Sequence, residues 1–191
     1  SLQDAEEAGQ AFGLLTYHLN KINPKKCQEV ILDFFGIDNR LKQFSEAWSQ
    51  AEKTIKEKAS STYQLLSARI PMYSKDYSIP IRIIHGDGKM PNLMFDHKGQ
   101  LKGILDWDTA MPGTVLDEFG YLARSIISRK AEDDATPVTP YVNLEYLKIL
   151  LQAFQDAAGH SISSTEKELL LFGLKRTLWI QSIRFLADYL S

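Results

Sequence analysis

His85-Gly86-Asp87-Gly88-Lys89-Met90-Pro91-Asn92, followed a short way on by Asp106-Trp107-Asp108, decides how this chain is read. Before the first segment, Ile79-Pro80-Ile81-Arg82-Ile83-Ile84 is an apolar, β-branched run. It predicts a short strand that delivers His85 and Asp87 at its C-terminal end. After Asn92, Leu93-Met94-Phe95 reads as a second strand and Leu101-Lys102-Gly103-Ile104-Leu105 as a third. His97-Lys98-Gly99-Gln100 between them has turn chemistry, with Gly99 available for a positive φ. A hairpin of this kind carries Asn92 out and brings Asp106 back, so two oxygen donors distant in sequence end side by side.

These residue types fit one chemistry, phosphoryl transfer. It needs a carboxylate to accept the proton of the acceptor hydroxyl, oxygen ligands for Mg²⁺, and a cation against the transferring phosphate. Asp87, Asn92, Asp106 and Lys89 supply that set within one short stretch. Mg²⁺ takes only one or two protein carboxylates and fills its other positions with phosphate and water, so a pair such as Asn92 and Asp106 is sufficient.

The order H-x-D-x-K-x-x-N is similar to the catalytic loop of protein kinases. Together the two segments resemble the aminoglycoside phosphotransferase family, small-molecule kinases of protein-kinase-like fold that include choline and homoserine kinases. Further stretches resemble the N-acetylhexosamine kinase branch: Leu105 to Gly113, Asp117-Glu118-Phe119-Gly120, Ala131-Glu132-Asp133-Asp134, and Ile183 to Leu190. The resemblance covers most of the chain. It implies an α+β fold, mostly α-helical, in which residues 1–191 form the large C-terminal lobe and a short β-hairpin carries the catalytic motifs. It further implies that Asp87 is the catalytic base, that Asn92 and Asp106 ligate Mg²⁺, and that Asp108 belongs either to the metal or to the substrate. His85 would brace the catalytic loop against the metal-binding turn, and Arg184 would sit near a sugar pocket. ATP is the implied phosphate donor, and the acceptor a small-molecule hydroxyl, foremost that of an N-acetylated hexose. The family's small N-terminal lobe, with a phosphate-covering loop and a strand lysine, has no counterpart in these 191 residues.

Composition agrees with one lobe of a larger enzyme. Hydrophobic residues make up 44% and charged residues 24%, ordinary for a globular protein with an ample core. A net charge of −2 leaves no electrostatic footprint for nucleic acid or an acidic membrane surface. Cys27 is the only cysteine, which excludes an internal disulfide and favours a reducing, cytoplasmic setting. No apolar run approaches the roughly twenty residues a membrane helix needs. The start, Ser1-Leu2-Gln3-Asp4, has neither an initiator Met nor a signal peptide and reads as a cut end.

The rest of the chain reads as helices. The periodicity predicts one from Asp4 to about Asn20 and a long amphipathic one through Leu41, Phe44, Trp48, Ala51, Ile55 and Ala59. A further helical stretch over Tyr63 to Ala68 stops before Pro71. Leu116 to about Arg129, Asn143 to Ala158 and Thr165 to Tyr189 are helical, with an acidic, proline-containing loop from Ala131 to Pro140.

Several residues carry a second, structural reading. Lys89 is either a phosphate contact or a solvated lysine. Arg124 and Arg184 lie on helices among apolar neighbours, so each is a substrate contact or an ion-pair member, Arg184 being the better substrate candidate. Asp117 either caps the helix that follows or braces the catalytic loop. Trp107 and Trp179 are expected to pack, and His18, His97 and His160 show no ligand spacing. Two other functions remain open. Asp106-Trp107-Asp108-Thr109 after a strand is similar to the D-x-D-x-T nucleophile motif of haloacid-dehalogenase-type phosphatases, although the threonine falls one position early. A kinase-like lobe kept only for binding is the other.

Overall fold

The computed structural model describes residues 1–31, 34–127 and 142–191. Helix α1 (Leu2–Leu19) opens with a capping box, Ser1 accepting from the Asp4 amide while Asp4 reaches back to the Ser1 backbone. Its buried stripe includes Ala5, Ala8, Gly9, Phe12 and Gly13. That stripe lies against α6 (Leu144–Ala158), which Asn143 caps by accepting from the Glu145 and Tyr146 amides. A Cβ added at Gly9 would stand 2.6 Å from the Leu150 carbonyl oxygen, so the small residues set how closely the two helices approach.

The expected long helix is two: α2 (Ile37–Gln50) and α3 (Lys53–Ser67). Ala51 and Glu52 are extended, with ψ of 148° and 150°, and Lys56 Nζ donates to the Ser49 carbonyl at the end of α2. The physical reason is packing. Folding back stacks Tyr63 on Trp48, with ring centroids 3.8 Å apart, and on Phe44 at 4.8 Å. A straight helix would hold these rings apart, and tertiary burial outweighs the propensity of a continuous helical pattern. A single turn, α4 (Ile70–Tyr73), follows with Pro71 in its first turn, where no N–H is required.

The strand expected over 79–84 shrinks to β1 (Arg82–Ile84). Pro80 lacks a ladder donor and Ser78 sits at φ 52°, so pairing cannot begin earlier. β1 pairs antiparallel with a strand the sequence did not announce, β4 (Met111–Gly113). The hairpin of β2 (Leu93–Phe95) and β3 (Leu101–Ile104) forms as read, in register Leu93↔Ile104 with a bulge after Met94. Asp96 Oδ1 accepts from the amides of Lys98 and Gln100, and Gly99 supplies the positive φ of 74°.

Helix α5 (Val115–Ile127) packs against β1, and α7 (Ser164–Leu190) packs against α5, α2 and α3. One core gathers α1, α5, α6 and the first half of α7 around Phe12, Phe119, Leu122, Leu150 and Phe154. A second gathers α2, α3, α4 and the last half of α7 around Phe44, Tyr73, Trp179 and Ile183. Arg82 forks onto the buried Glu166 through two 2.9 Å bonds and ties β1 to the first turn of α7. No described helix is long and apolar enough to cross a membrane. The acidic stretch Ala131 to Pro140, with Glu132-Asp133-Asp134, lies outside the described residues.

Candidate active site

β1 delivers His85 into a fully buried position. Its Nδ1 accepts from the Asp87 amide at 3.3 Å, and its Nε2 lies 2.9 Å from the Leu105 carbonyl. One nitrogen accepting and the other donating assigns the neutral Nε2–H tautomer, so the ring links the loop to the residue before Asp106. The His85 carbonyl in turn accepts from Thr109 Oγ1 at 2.8 Å. Gly86 is at φ 81°, where a side chain would be strained, and a Cβ there would meet the Thr109 carbonyl at 2.8 Å.

The Asp87 carboxylate is only partly exposed. Its Oδ2 takes Lys89 Nζ at 2.5 Å and Asn92 Nδ2 at 3.2 Å. The Asn92 Nδ2 also donates to the Asp87 carbonyl at 2.9 Å, which leaves the amide Oδ1 to accept. The backbone of Asn92 accepts from the Leu105 amide at 2.8 Å, so the returning strand sets Asp106 beside Asn92. Asp106 itself is left-handed (φ 64°, ψ 68°), a conformation Asp tolerates better than most residues, and starts the single turn Trp107–Thr109. Asp106, Trp107 and Asp108 are exposed, and Trp107 Nε1 donates to the Ile104 carbonyl at 2.9 Å.

Beneath the loop, α5 presents two buried carboxylates in succession. Asp117 closes a capping box with Thr114, accepting from its amide at 3.1 Å and its hydroxyl at 2.6 Å, with Arg176 Nη1 at 3.9 Å. Burial raises its pKa above the ordinary value, against the pull of Arg176 and Thr114. The carboxylate that reaches the catalytic loop is its neighbour. Glu118 Oε2 accepts from the His85 amide at 2.5 Å, the Gly86 amide adds a weaker pull, and Oε1 is buried without a hydrogen-bond partner among the described residues. Burial pushes its pKa up to about 7; the two amides oppose that rise and the nearby Asp117 and Asp87 reinforce it.

The two arginines singled out as substrate contacts lie on α5 and α7. The Arg124 guanidinium lies 5.8 Å from the Tyr121 ring on α5. Arg184 is exposed on α7 and lines a groove of about 390 Å³ against α2, with Arg40, Glu46 and Asp188. No hydrogen bond or ion pair among the described residues joins Arg184 to Asp87. The structure thus gathers His85, Asp87, Lys89, Asn92 and Asp106 in one place and leaves Arg184 on a separate wall.

Sequence reasoning passed over Ser125, and it quoted Glu118 and Thr109 only inside motifs without giving either a role at the site. Ser125 Oγ accepts from the Met90 amide at 2.9 Å. The available signal was two polar residues seven apart on α5, on the helix face that also carries Leu122.

As a metal site the pair Asn92 and Asp106 offers one amide oxygen and one carboxylate, hard donors suited to Mg²⁺. No cluster of three His, Cys, Asp or Glu side chains arranged to hold a metal occurs among the described residues. A phospho-aspartyl role for Asp106 calls for the first strand of a parallel, doubly wound sheet. Here Asp106 follows the return strand of an antiparallel hairpin, and both sheets among the described residues are two-stranded and antiparallel.

A family model described as "Phosphotransferase enzyme family" matches residues 1–145. The crystal structure of an aminoglycoside-3'-phosphotransferase of type VIII superimposes with a TM-score of 0.55 at 15% sequence identity. The match covers 96% of this chain and 62% of that one, and at this identity it is a likeness of fold.

Proposed function

The chain belongs to the phosphotransferase enzyme family, and from that premise we propose that it carries the acceptor side of a kinase active site. The reaction is transfer of the ATP γ-phosphoryl group to a small-molecule hydroxyl. Asp87 accepts the hydroxyl proton as the acceptor oxygen bonds to phosphorus and the bond to the ADP oxygen breaks. Lys89 and Asn92 hold one carboxylate oxygen of Asp87 and leave the other for the acceptor. Asn92 and Asp106 would hold Mg²⁺, which when bound offsets charge on the phosphates. Asp108 stands exposed on the same turn, open to metal or substrate. A nucleotide lobe outside these 191 residues would cover the phosphates from above, and a cytoplasmic setting suits ATP and the lone Cys27.

The observation that carries this reading is the double hold of Asn92 on Asp87, with the Leu105 amide on the Asn92 carbonyl bringing Asp106 alongside. For the acceptor we propose a sugar hydroxyl, that of an N-acetylated hexose. The branch motifs support it. The test is ADP release by the full-length protein with Mg–ATP across a panel of N-acetylhexosamines, choline, homoserine and aminoglycosides. ADP release that requires an acceptor and is lost in Asp87→Asn supports the reading; none with any acceptor refutes it and favours a lobe kept for binding.

A further inference from the structure

We propose that Tyr121 and Gln181 are specificity contacts that together read a secondary amide on the acceptor, the acetamido group of the hexose. The proposal rests on the phosphotransferase reading for its place in the reaction, while the pairing of the two side chains stands on geometry. Tyr121 lies on α5 one turn beyond Glu118, whose carboxylate meets the His85 amide. Phe35, on the segment that enters α2, fills the space between Tyr121 and the catalytic loop. Its ring meets Tyr121 edge to face with centroids 6.0 Å apart, and a Cβ added at Gly86 would stand 2.8 Å from its Cζ. Phe34 lies nearly parallel to the Tyr121 ring at 6.3 Å. Tyr121 is thus one ring away from Gly86, the residue before the base. An acceptor that sets one hydroxyl at Asp87 brings its adjacent substituent to this aromatic wall.

Across the seam between α5 and α7, Gln181 is 6% exposed and its Nε2 donates to the Tyr121 hydroxyl at 3.1 Å. Its Oε1 is buried with no hydrogen-bond partner among the described residues. The Tyr121 hydroxyl accepts from Gln181 and donates to no described residue. The pair therefore holds one unused donor, the Tyr121 O–H, and one unused acceptor, Gln181 Oε1. Turning the Gln181 amide over keeps that count, with Nε2 as the donor and the phenolic oxygen as the acceptor. One donor beside one acceptor is the complement of a secondary amide, whose carbonyl takes the first and whose N–H meets the second. A hydroxyl in its place is a single atom and too short to span both. Burial raises the Tyr121 pKa and Asp117 adds to the rise, against Arg124 and Arg40, so the phenol keeps its proton. Bare polar atoms collect along this seam. Arg176 Nε on α7 and Glu118 Oε1 on α5 are also buried without hydrogen-bond partners among the described residues. Such atoms are costly, and several of them beside a base mark where a polar ligand docks. The guanidinium of Arg124, 5.8 Å from the Tyr121 ring, and that of Arg40 count against a cationic acceptor.

The test is calorimetry on the full-length protein with Mg–ADP, comparing N-acetylglucosamine with glucose, which carries a hydroxyl where the other has the acetamido group. The wild-type protein should bind the acetamido sugar at least about a hundredfold more tightly, because a site built to hydrogen-bond a group rejects the analogue lacking it. Gln181→Met keeps the length of the side chain and removes both polar atoms, and it should reduce that ratio about tenfold. Tyr121→Phe keeps the ring, removes the hydroxyl and should act in the same direction, which serves if the first variant fails to fold. A role in packing alone would weaken both sugars together and leave the ratio unchanged. No acetamido preference in the wild-type protein, or a full preference retained in either folded variant, overturns the inference. Acetamido-selective binding without ADP release would keep the inference and refute the kinase reading. ADP release with glucose and N-acetylglucosamine alike would do the reverse.

Discussion

The two cores joined by α7 are built from opposite materials. Around the second half of the helix, Phe44, Tyr73, Trp179, Ile183 and Leu190 are buried, and the polar handle of Trp179 is satisfied by the Leu66 carbonyl at 3.0 Å. Under the 85–92 loop, His85, Asn92, Asp117 and Glu118 are buried in and beside the first core. Two of these carry raised pKa values, and Asp106 stands in a left-handed conformation just above. Buried carboxylates and strained backbone lower stability, and they persist where they place a reacting group. The second core therefore supplies stability, part of which the buried carboxylates under the loop offset.

The largest effect that would expose this division is Trp179→Ala. Removing a buried indole, and with it the Trp179 hydrogen bond to a Leu66 carbonyl that keeps the Arg69 amide, should cost about 3–5 kcal/mol in urea denaturation, with kcat of the molecules that remain folded unchanged. A loss of turnover without a loss of stability would erase the distinction between the cores. Asp87→Asn is the opposite case and comes next. It should lower kcat at least about a hundredfold, close to 2.7 kcal/mol of barrier. Stability should move by less than about 1 kcal/mol, since the Lys89 ion pair it disturbs is partly solvated.

The same division decided what could be read in advance. Motif residues at fixed local spacing, His85 to Asn92, and a hairpin with Gly99 at its turn are local matters, and the site's upper layer was legible from them. Helix ends written as Asn143 or as Ser163 with Glu166 were legible within a residue or two. The break at Ala51-Glu52 was not, because neither residue is a helix breaker and the cause is a ring stack twelve residues further on, at Tyr63. β4 hid behind Met111-Pro112-Gly113, which has no alternating pattern. Glu118 hid for a similar reason. A glutamate beside a capping aspartate looks like first-turn charge, and only the approach of β1 to α5 gives it the His85 amide.

Stability against pH tests the cost of the buried carboxylates under the loop directly. Burial favours the neutral acid, so the folded protein keeps the Glu118 proton that the unfolded chain releases above about pH 4.5. Its contribution is fully present below that pH, declines as pH rises from about 4.5 to about 7, and is constant above. Asp117 shifts in the same direction and adds to the slope. Thermal unfolding from pH 4.5 to 8.5 should show this decline, and Glu118→Gln should flatten it and leave the variant the more stable protein at pH 8. An equal slope in both proteins would mean that the buried charge costs nothing.

The smallest expected effect concerns Arg184, the one proposed substrate contact on the side of the second core. The side chain is exposed, and its guanidinium lies 5.9 Å from the Phe185 ring, a contact worth about 0.5–1 kcal/mol at most in water. Arg184→Gln should leave stability within about 0.5 kcal/mol of the starting protein, as for surface substitutions generally. If the α2–α7 groove takes the acceptor, the variant loses a charged hydrogen bond made equally in ground and transition states. The Michaelis constant for the acceptor should then rise about tenfold, with kcat and the constant for ATP unchanged. An unchanged acceptor constant would return Arg184 to the role of a surface cation and confine function to the α5 side. A fall in kcat would be the more instructive failure, because it would mean that the second core's wall also moves the reacting groups and that α7 couples the two.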